Sequence, residues 1–215
     1  MSQIELVEEL ARGGYLKSPA IIDAFKSIDR ASFVPDEFKS QAYENKPLPI
    51  GFEQTISQPL TVAFMLELLQ PQPGSTILDI GAGSGWQSAL IANLVGETGK
   101  VVAIERIPEL KTLAENNLKN LPDLNGRINF VLGDGSLGYE PEAPYNRIIA
   151  AAAGDEIPES WKAQLKTGGT IVAPVGQSIV VIHKLTPDTF DRHEYLGFSF
   201  VPLIKDGESG AGLTS

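Results

Sequence analysis

The sequence holds no cysteine and only two histidines, His183 and His193. The first absence removes disulfides, thiolate nucleophiles and thiolate metal ligands. With no thiolate and only two imidazoles, a structural zinc site is not expected, nor is any other metal. Basic residues are also few, 17 against 27 acidic ones, for a net charge of −10. Lys and Arg form no cluster of the kind that grips a phosphate backbone, so nucleic acid is not expected as a partner. No apolar run approaches the ~20 residues of a membrane span, so no membrane partner is expected. The opening residues, MSQIELVEELARGG, lack the basic and apolar regions of a secretory signal. The expected location is therefore the cytoplasm. No heptad pattern or long exposed apolar stripe argues for assembly, and the expected state is a monomer.

What is present is ordinary globular composition, 42% hydrophobic and 20% charged over 215 residues. That suits one α/β domain with extensions. Residues 1–70 differ in texture from the rest. Ile4, Leu6, Val7 and Leu10 give a short helical stripe that stops at Gly13-Gly14. Ser18-Pro19 reads as an N-cap followed by proline at the first helical position, opening a helix that runs to about Ile28. Pro35, Pro47, Pro49 and Gly51 break the next stretch into turns. From Pro59, the spacing of Val62, Met65, Leu66 and Leu69 predicts a helix ending before Pro71.

Residues 71–215 alternate strand and helix, as a doubly wound, mainly parallel sheet does. Strands are predicted at Thr76–Ile80, Lys100–Glu105, Ile128–Leu132, Arg147–Ala153 and Thr170–Val175. The helices between them are Trp86–Val95, Pro108–Leu118 and Pro158–Leu165, the last closed by Gly168-Gly169. Ser178–Leu185 and Glu194–Val201 read as an antiparallel C-terminal edge pair around Pro187-Asp188. Extension and core together are read as a single domain.

The strongest local signal is the run from Ile77 to Gly85, a strand feeding through Gly81-x-Gly83-x-Gly85 into a helix. Glycine suits a tight turn that backbone must bring close to a ligand, and a helix N-terminus favours a carboxylate. Glu105 ends the next strand, where a carboxylate can accept both hydroxyls of a ribose. Asp79, two residues before the first glycine, is placed to meet an ammonium group. Gly133-Asp134-Gly135 ends the third strand, where Asp134 and Gly135 could receive an adenine amino group. Singly, each has a plainer role: Asp79 as a turn cap, Glu105 as a solvated strand end, Gly133–Gly135 as a turn. Together they lie at the carboxyl ends of three consecutive strands, the edge where open α/β sheets bind ligands. The spacing is GxGxG, not the GxGxxG that grips a pyrophosphate, which favours S-adenosylmethionine over a nicotinamide dinucleotide.

Two further stretches resemble signature segments of the protein-L-isoaspartate (D-aspartate) O-methyltransferases. One runs from Phe33-Val34-Pro35 through Ala42-Tyr43 to Pro47–Pro59, with Gln54-Thr55-Ile56-Ser57-Gln58-Pro59 as its specific part. The other is Phe200-Val201-Pro202-Leu203. Between them the likeness passes through Leu78–Gly85, Gly133–Gly135, Ala143–Tyr145, Ile157-Pro158, Gly168-Gly169 and Pro174–Gly176.

The resemblance implies a Rossmann-like class I S-adenosylmethionine-dependent methyltransferase with an N-terminal helical extension. Its reaction would transfer a methyl group to the α-carboxylate of L-isoaspartyl residues in damaged proteins and peptides, leaving S-adenosylhomocysteine. The ester then closes to a succinimide, the first stage of repair. By the same resemblance Ser57 lies beside the reacting carboxylate and orients it. Gln54, Thr55 and Ile56 shape that pocket, and Val201 and Leu203 close the substrate groove. A carboxylate ordinarily titrates at about pH 3.5–4, so it is already ionised at neutral pH and needs no general base. Neither histidine is then required.

The residues also allow Ser57 to be no more than an N-cap before Pro59, and Val201 and Leu203 to be simply apolar positions of a terminal strand. Ser136, where many relatives carry tyrosine or a basic residue, and Gly154, where a proline is usual, depart from the pattern. Three other functions remain open: methylation of a different carboxylate or small molecule, a nicotinamide oxidoreductase, and a non-catalytic module that binds the donor and acidic peptides.

Overall fold

A computed structural model of the chain describes residues 1–204. Helix α1 (Gln3–Arg12) starts on a reciprocal cap. The Glu5 N–H donates to the Ser2 hydroxyl at 3.3 Å, and the Ser2 N–H donates to the Glu5 carboxylate at 2.6 Å. Leu6, Val7 and Leu10 are buried, whereas Ile4 is 48% exposed and falls outside the stripe. Helix α2 (Pro19–Ser27) follows, with Ser18 at its N-cap position but making no side-chain cap. The Ser18 hydroxyl instead donates to Glu67 at 2.7 Å, and Glu67 also accepts the N–H groups of Lys17 and Ser18. One carboxylate thus joins the start of α2 to a helix far along the chain.

The proline-rich stretch, expected as turns alone, also contains a hairpin of β1 (Leu48–Gly51) and β2 (Gln54–Ile56). Leu48 and Ile50 point inward while Pro49 faces solvent, a tolerable place for proline in an isolated pair. The two turn residues, Phe52 and Glu53, have φ of 52° and 57°. A two-residue hairpin of type I′ needs positive φ at both positions, usually from glycine or asparagine. Here neither residue announces the turn. Helix α3 (Pro59–Leu69) comes next and packs between the extension and the sheet.

The core strands β3 (Thr76–Ile80), β4 (Lys100–Glu105) and β5 (Ile128–Leu132) match their predicted ranges. So do the helices α4 (Trp86–Val95) and α5 (Pro108–Leu118). A short α6 (Pro122–Asn125) precedes β5. The chain then forms β6 (Tyr145–Ala150), β7 (Ala152–Ala153), α7 (Glu159–Gln164), β8 (Leu165–Val175), β9 (Ser178–Lys184), β10 (Phe190–Leu196) and β11 (Val201–Pro202). The seven-stranded sheet has the order β10-β9-β8-β6-β3-β4-β5. The pairs from β8 to β5 are parallel, and β9 is antiparallel to both neighbours. The strand order reverses at β3, which has β4 on one side and β6 on the other. A crevice opens at the carboxyl ends of such a pair.

Alternation along the strands sorts the core. Ile77, Val101, Ala103, Ile149 and Val172 pack with α1 to α5 in one cluster, which also takes in Leu6, Phe25 and Phe33 of the extension. Leu78, Ile80, Val102, Ile104, Ile148 and Ile171 face the other way, against Ile157 and Trp161. Asp79 shares its parity with Ile77, so it points under α4. This decides what Asp79 can touch.

Three elements near the C-terminus differ from expectation. The strand predicted over residues 147–153 breaks at Ala151, whose N–H donates to the Ile80 carbonyl at 2.8 Å, and resumes as β7. Helix α7 is shorter than predicted, because β8 begins at Leu165 and runs through Gly168-Gly169. There the register with β6 shifts between Tyr145 and Arg147, a role glycine serves in strands. Finally β10 starts before Glu194 and ends at Leu196. Its side chains are almost all exposed, so its position is set by backbone pairing to β9 and not by an apolar pattern. Among the described residues, no helix is long and apolar enough to cross a membrane.

Candidate active site

The glycine turn after β3 is held from three sides. Gly81, Gly83 and Gly85 have φ of 84°, 54° and 86°, in the left-handed region that glycine enters without a Cβ penalty. A Cβ on Gly85 would lie 3.2 Å from the Cβ of Ala114 on α5, so that glycine serves helix packing. The Gly83 N–H donates to Glu105 at 2.9 Å and the Ile107 N–H donates to its other oxygen at 3.0 Å. Glu105 is 6% exposed and its carboxylate is fixed by these two bonds. Each oxygen keeps a lone pair for a further donor. A vicinal diol fits that pattern.

Asp79 is fully buried and does not line the cavity. Its oxygens accept from Gln87 at 2.7 Å and Ser88 at 2.6 Å, tying the end of β3 to the first turns of α4. Burial pushes its pKa up from 3.8 to about 6; the Ser88 and Gln87 hydrogen bonds oppose the rise, and the charge of Glu105 adds to it. Gln87, not Asp79, lines the cavity.

Gly133, Gly135, Ala151 and Ala152 bring in the ends of β5 and β6. A Cβ on Gly135 would overlap the Ile80 side chain, and the Gly135 carbonyl accepts from Trp161 Nε1 at 2.8 Å. Asp134 does not line the cavity; it accepts the Ser136 N–H at 2.8 Å and so shapes the turn that carries Gly135.

The opposite wall comes from β2 and the turn after it. Gln54, Thr55, Ile56 and Ser57 all line the cavity. Helix α3 is not capped by Ser57. Its N-cap position is Gln58, and Asn45 Oδ1 accepts the Leu60 N–H at 3.0 Å. Among the described residues the Ser57 hydroxyl has no hydrogen-bond partner, while its carbonyl accepts from Arg30 at 3.1 Å. A third wall is the C-terminal segment, where Val201 pairs in parallel with Ala152 and the Leu203 N–H donates to Ala153 at 2.7 Å. Val201 and Leu203 both face the cavity.

The cavity holds about 380 Å³ and is mostly apolar-walled, with Val62, Ile80, Ile107 and Leu110 among its surfaces. Among the described lining residues, Glu105 and Arg106 are the only ionisable ones. His183 and His193 lie away on β9 and β10, bonded to Thr170 and Asp191. The Gln54–Ser57 end therefore offers hydroxyl and amide groups but no base and no proton donor of suitable pKa. Such a site suits a nucleophile that arrives ionised. A hydride transfer that needs a proton relay is poorly served.

The sequence alone did not single out Trp86, Gln87, Ile107 or Ala151, which also line the cavity. Ile107 and Ala151 follow on the carboxyl ends of β4 and β6, Trp86 and Gln87 open the helix after β3, and the rule that ligands sit at that edge was signal enough to find them.

The family model described as protein-L-isoaspartate (D-aspartate) O-methyltransferase matches residues 1–208. A protein-L-isoaspartate O-methyltransferase of Methanopyrus kandleri is 44% identical over 209 residues, covering 95% of this chain and 91% of that protein. One from Aeropyrum pernix is 46% identical, covering 97% and 81%. Among solved structures, a Plasmodium falciparum protein described as a putative protein-L-isoaspartate O-methyltransferase, in complex with S-adenosyl-L-homocysteine, superposes with a TM-score of 0.87. It is 22% identical and covers 96% of this chain and all of that one. A protein-L-isoaspartate O-methyltransferase structure at 30% identity superposes at 0.83, covering 93% of this chain and 65% of that one.

Proposed function

The chain belongs to the protein-L-isoaspartate (D-aspartate) O-methyltransferase family, and from that premise we propose how its cavity divides the work between donor and acceptor. The reaction is methyl transfer from S-adenosylmethionine to the α-carboxylate of an L-isoaspartyl residue in a damaged protein, in the service of repair. The donor supplies a methyl group on a positively charged sulfur; the protein supplies placement.

Glu105 accepts the donor's ribose hydroxyls through the lone pairs left free by the Gly83 and Ile107 N–H groups. The turn Gly81–Gly85 brings backbone against the donor's amino-acid end, and Asp79 holds that turn from beneath through Gln87 and Ser88. Gly133 and Gly135 form the adenine end, where Asp134 shapes the loop. On the acceptor side the Ser57 hydroxyl, free of any partner among the described residues, donates to one carboxylate oxygen and leaves the other to attack. Gln54, Thr55 and Ile56 frame that group, and Val201 and Leu203 close over it. Holding both reactants in line and away from water is the catalytic contribution, since no proton has to move.

The observation that carries this reading is a cavity lined both by the glycine turn with Glu105 and by Gln54–Ser57, with no base among the described residues that line it near Ser57. The reading also takes residues 1–70 and 71–215 as one domain, supported by the apolar cluster that Leu6, Phe25 and Phe33 share with Trp86 and Ile91. It takes the chain as a monomer in the cytoplasm without a nucleic-acid partner, which the net charge of −10 supports for the last point.

The test is to incubate the protein with labelled donor and matched isoaspartyl and aspartyl peptides, and to measure base-labile label in each. Selective labelling of the isoaspartyl peptide is expected. Equal labelling of both, or of neither despite tight donor binding, contradicts the assignment.

A further inference from the structure

Among the described residues, no opposite charge meets the buried Arg30. It is 1% exposed, sits in the 3-10 turn Arg30–Phe33, and forms no ion pair among the described residues. Its guanidinium donates to three backbone carbonyls: Ala42 at 2.6 Å, Lys46 at 3.1 Å and Ser57 at 3.1 Å. Its Cζ lies over the ring of Trp86, 5.3 Å from the centroid, and Trp86 is the first residue of α4 and lines the cavity. Both Arg30 Nε and Trp86 Nε1 are buried without a hydrogen-bond partner. Burial lowers the Arg30 pKa to about 10, which leaves it protonated at neutral pH.

This arrangement is costly unless it does something. A buried cation without a counter-charge loses its hydration, and carbonyl dipoles recover only part of it. The three carbonyls belong to the chain just before the hairpin and just after it, so Arg30 pins the start of β1 to the end of β2. The cavity residues drawn from this region, from Pro47 to Val62, carry no charge of their own.

We propose that Arg30 is the positioning residue for the acceptor carboxylate: it fixes the Ser57 segment through that residue's carbonyl, and its unpaired charge makes this end of the cavity favourable for an anion. The inference rests on the function proposed above. Arg30 acts through the Ser57 segment, without touching the reacting atoms. Substrate arriving as a carboxylate then provides the opposite charge that the fold withholds. Lysine keeps the charge but lacks the planar fork that reaches carbonyls on separate segments. Methionine keeps the bulk and loses both.

The experiment compares Arg30→Lys and Arg30→Met with the unaltered chain. It measures kcat and KM for an isoaspartyl peptide, the affinity for S-adenosylhomocysteine by calorimetry, and the thermal midpoint. Arg30→Met is expected to lose about 100-fold in kcat/KM, in line with the cost of small misplacements of reacting groups. Its affinity for S-adenosylhomocysteine should stay within about twofold, and Arg30→Lys should recover part of the loss. A parallel fall in donor affinity and catalysis, or an Arg30→Met protein with full kcat/KM, overturns the proposal.

Should Arg30→Met fail to fold, the Nε–Hε resonance of Arg30 in the unaltered protein gives a second measurement. Saturated with S-adenosylhomocysteine, it should shift on addition of the isoaspartyl peptide and stay put with the aspartyl one. An unmoved resonance overturns the proposal. An unaltered protein that methylates neither peptide overturns the functional reading itself, and the role of Arg30 with it.

Discussion

Replacing Asp79 by asparagine isolates the electrostatic strain beneath the glycine turn. Asp79 is fully buried, so water does not screen the effect, and its pKa in the folded protein is raised from 3.8 to about 6. Between those two values the folded protein holds a proton that the unfolded chain has released, so stability falls as pH rises through the window. The contribution is fully present below pH 3.8 and lost above pH 6. A rise of about two units corresponds to about 3 kcal/mol at neutral pH, with ionised Asp79 as the destabilising form. Asparagine cannot ionise and escapes this loss. Any cost of altered hydrogen bonds to Ser88 and Gln87 is a constant offset in the comparison.

Relative to the unaltered protein, Asp79→Asn should therefore gain about 2 kcal/mol of stability between about pH 4 and pH 7. Urea unfolding, followed by the fluorescence of the buried Trp86 and Trp161, measures the difference at each pH. A difference that stays flat across the window, or one that moves against Asp79→Asn as pH rises, would show that the carboxylate is not strained and that the reasoning is wrong.

Ser57→Ala should lower kcat by about 10–100-fold while the thermal midpoint and the affinity for S-adenosylhomocysteine hold, because its hydroxyl makes no bond within the described chain. Loss of stability in that variant, seen by calorimetry, would make Ser57 structural. Glu105→Gln should weaken S-adenosylhomocysteine binding by about tenfold or more, as a neutral amide replaces a carboxylate between the Gly83 and Ile107 N–H groups. Unchanged affinity by titration would remove the ribose assignment.

The parallel strands were legible because β3, β4 and β5 are short apolar runs bounded by turn residues, and buried strands leave little choice of range. The β1–β2 hairpin was not, since its turn uses Phe52 and Glu53 at positive φ. β10 was misplaced because its exposed side chains carry no apolar alternation. Within the site, Gly81, Gly83, Glu105, Gly135, Gln54–Ser57, Val201 and Leu203 all come together around one cavity. Asp79, expected to meet an ammonium group, sits beneath it instead, bonded to Gln87 and Ser88 on the side of the sheet that Ile77 faces. Arg30 was invisible for a physical reason: arginine in a polar-looking turn reads as surface, and only tertiary structure shows that the turn is interior.

Crystals grown with S-adenosylhomocysteine and an isoaspartyl peptide test the central claim most directly. The account predicts the donor's ribose on Glu105 and the peptide's α-carboxylate within hydrogen-bond reach of the Ser57 hydroxyl, facing the sulfur. A peptide seated elsewhere, or a carboxylate turned away from the sulfur with Ser57 bonded to something else, would contradict it.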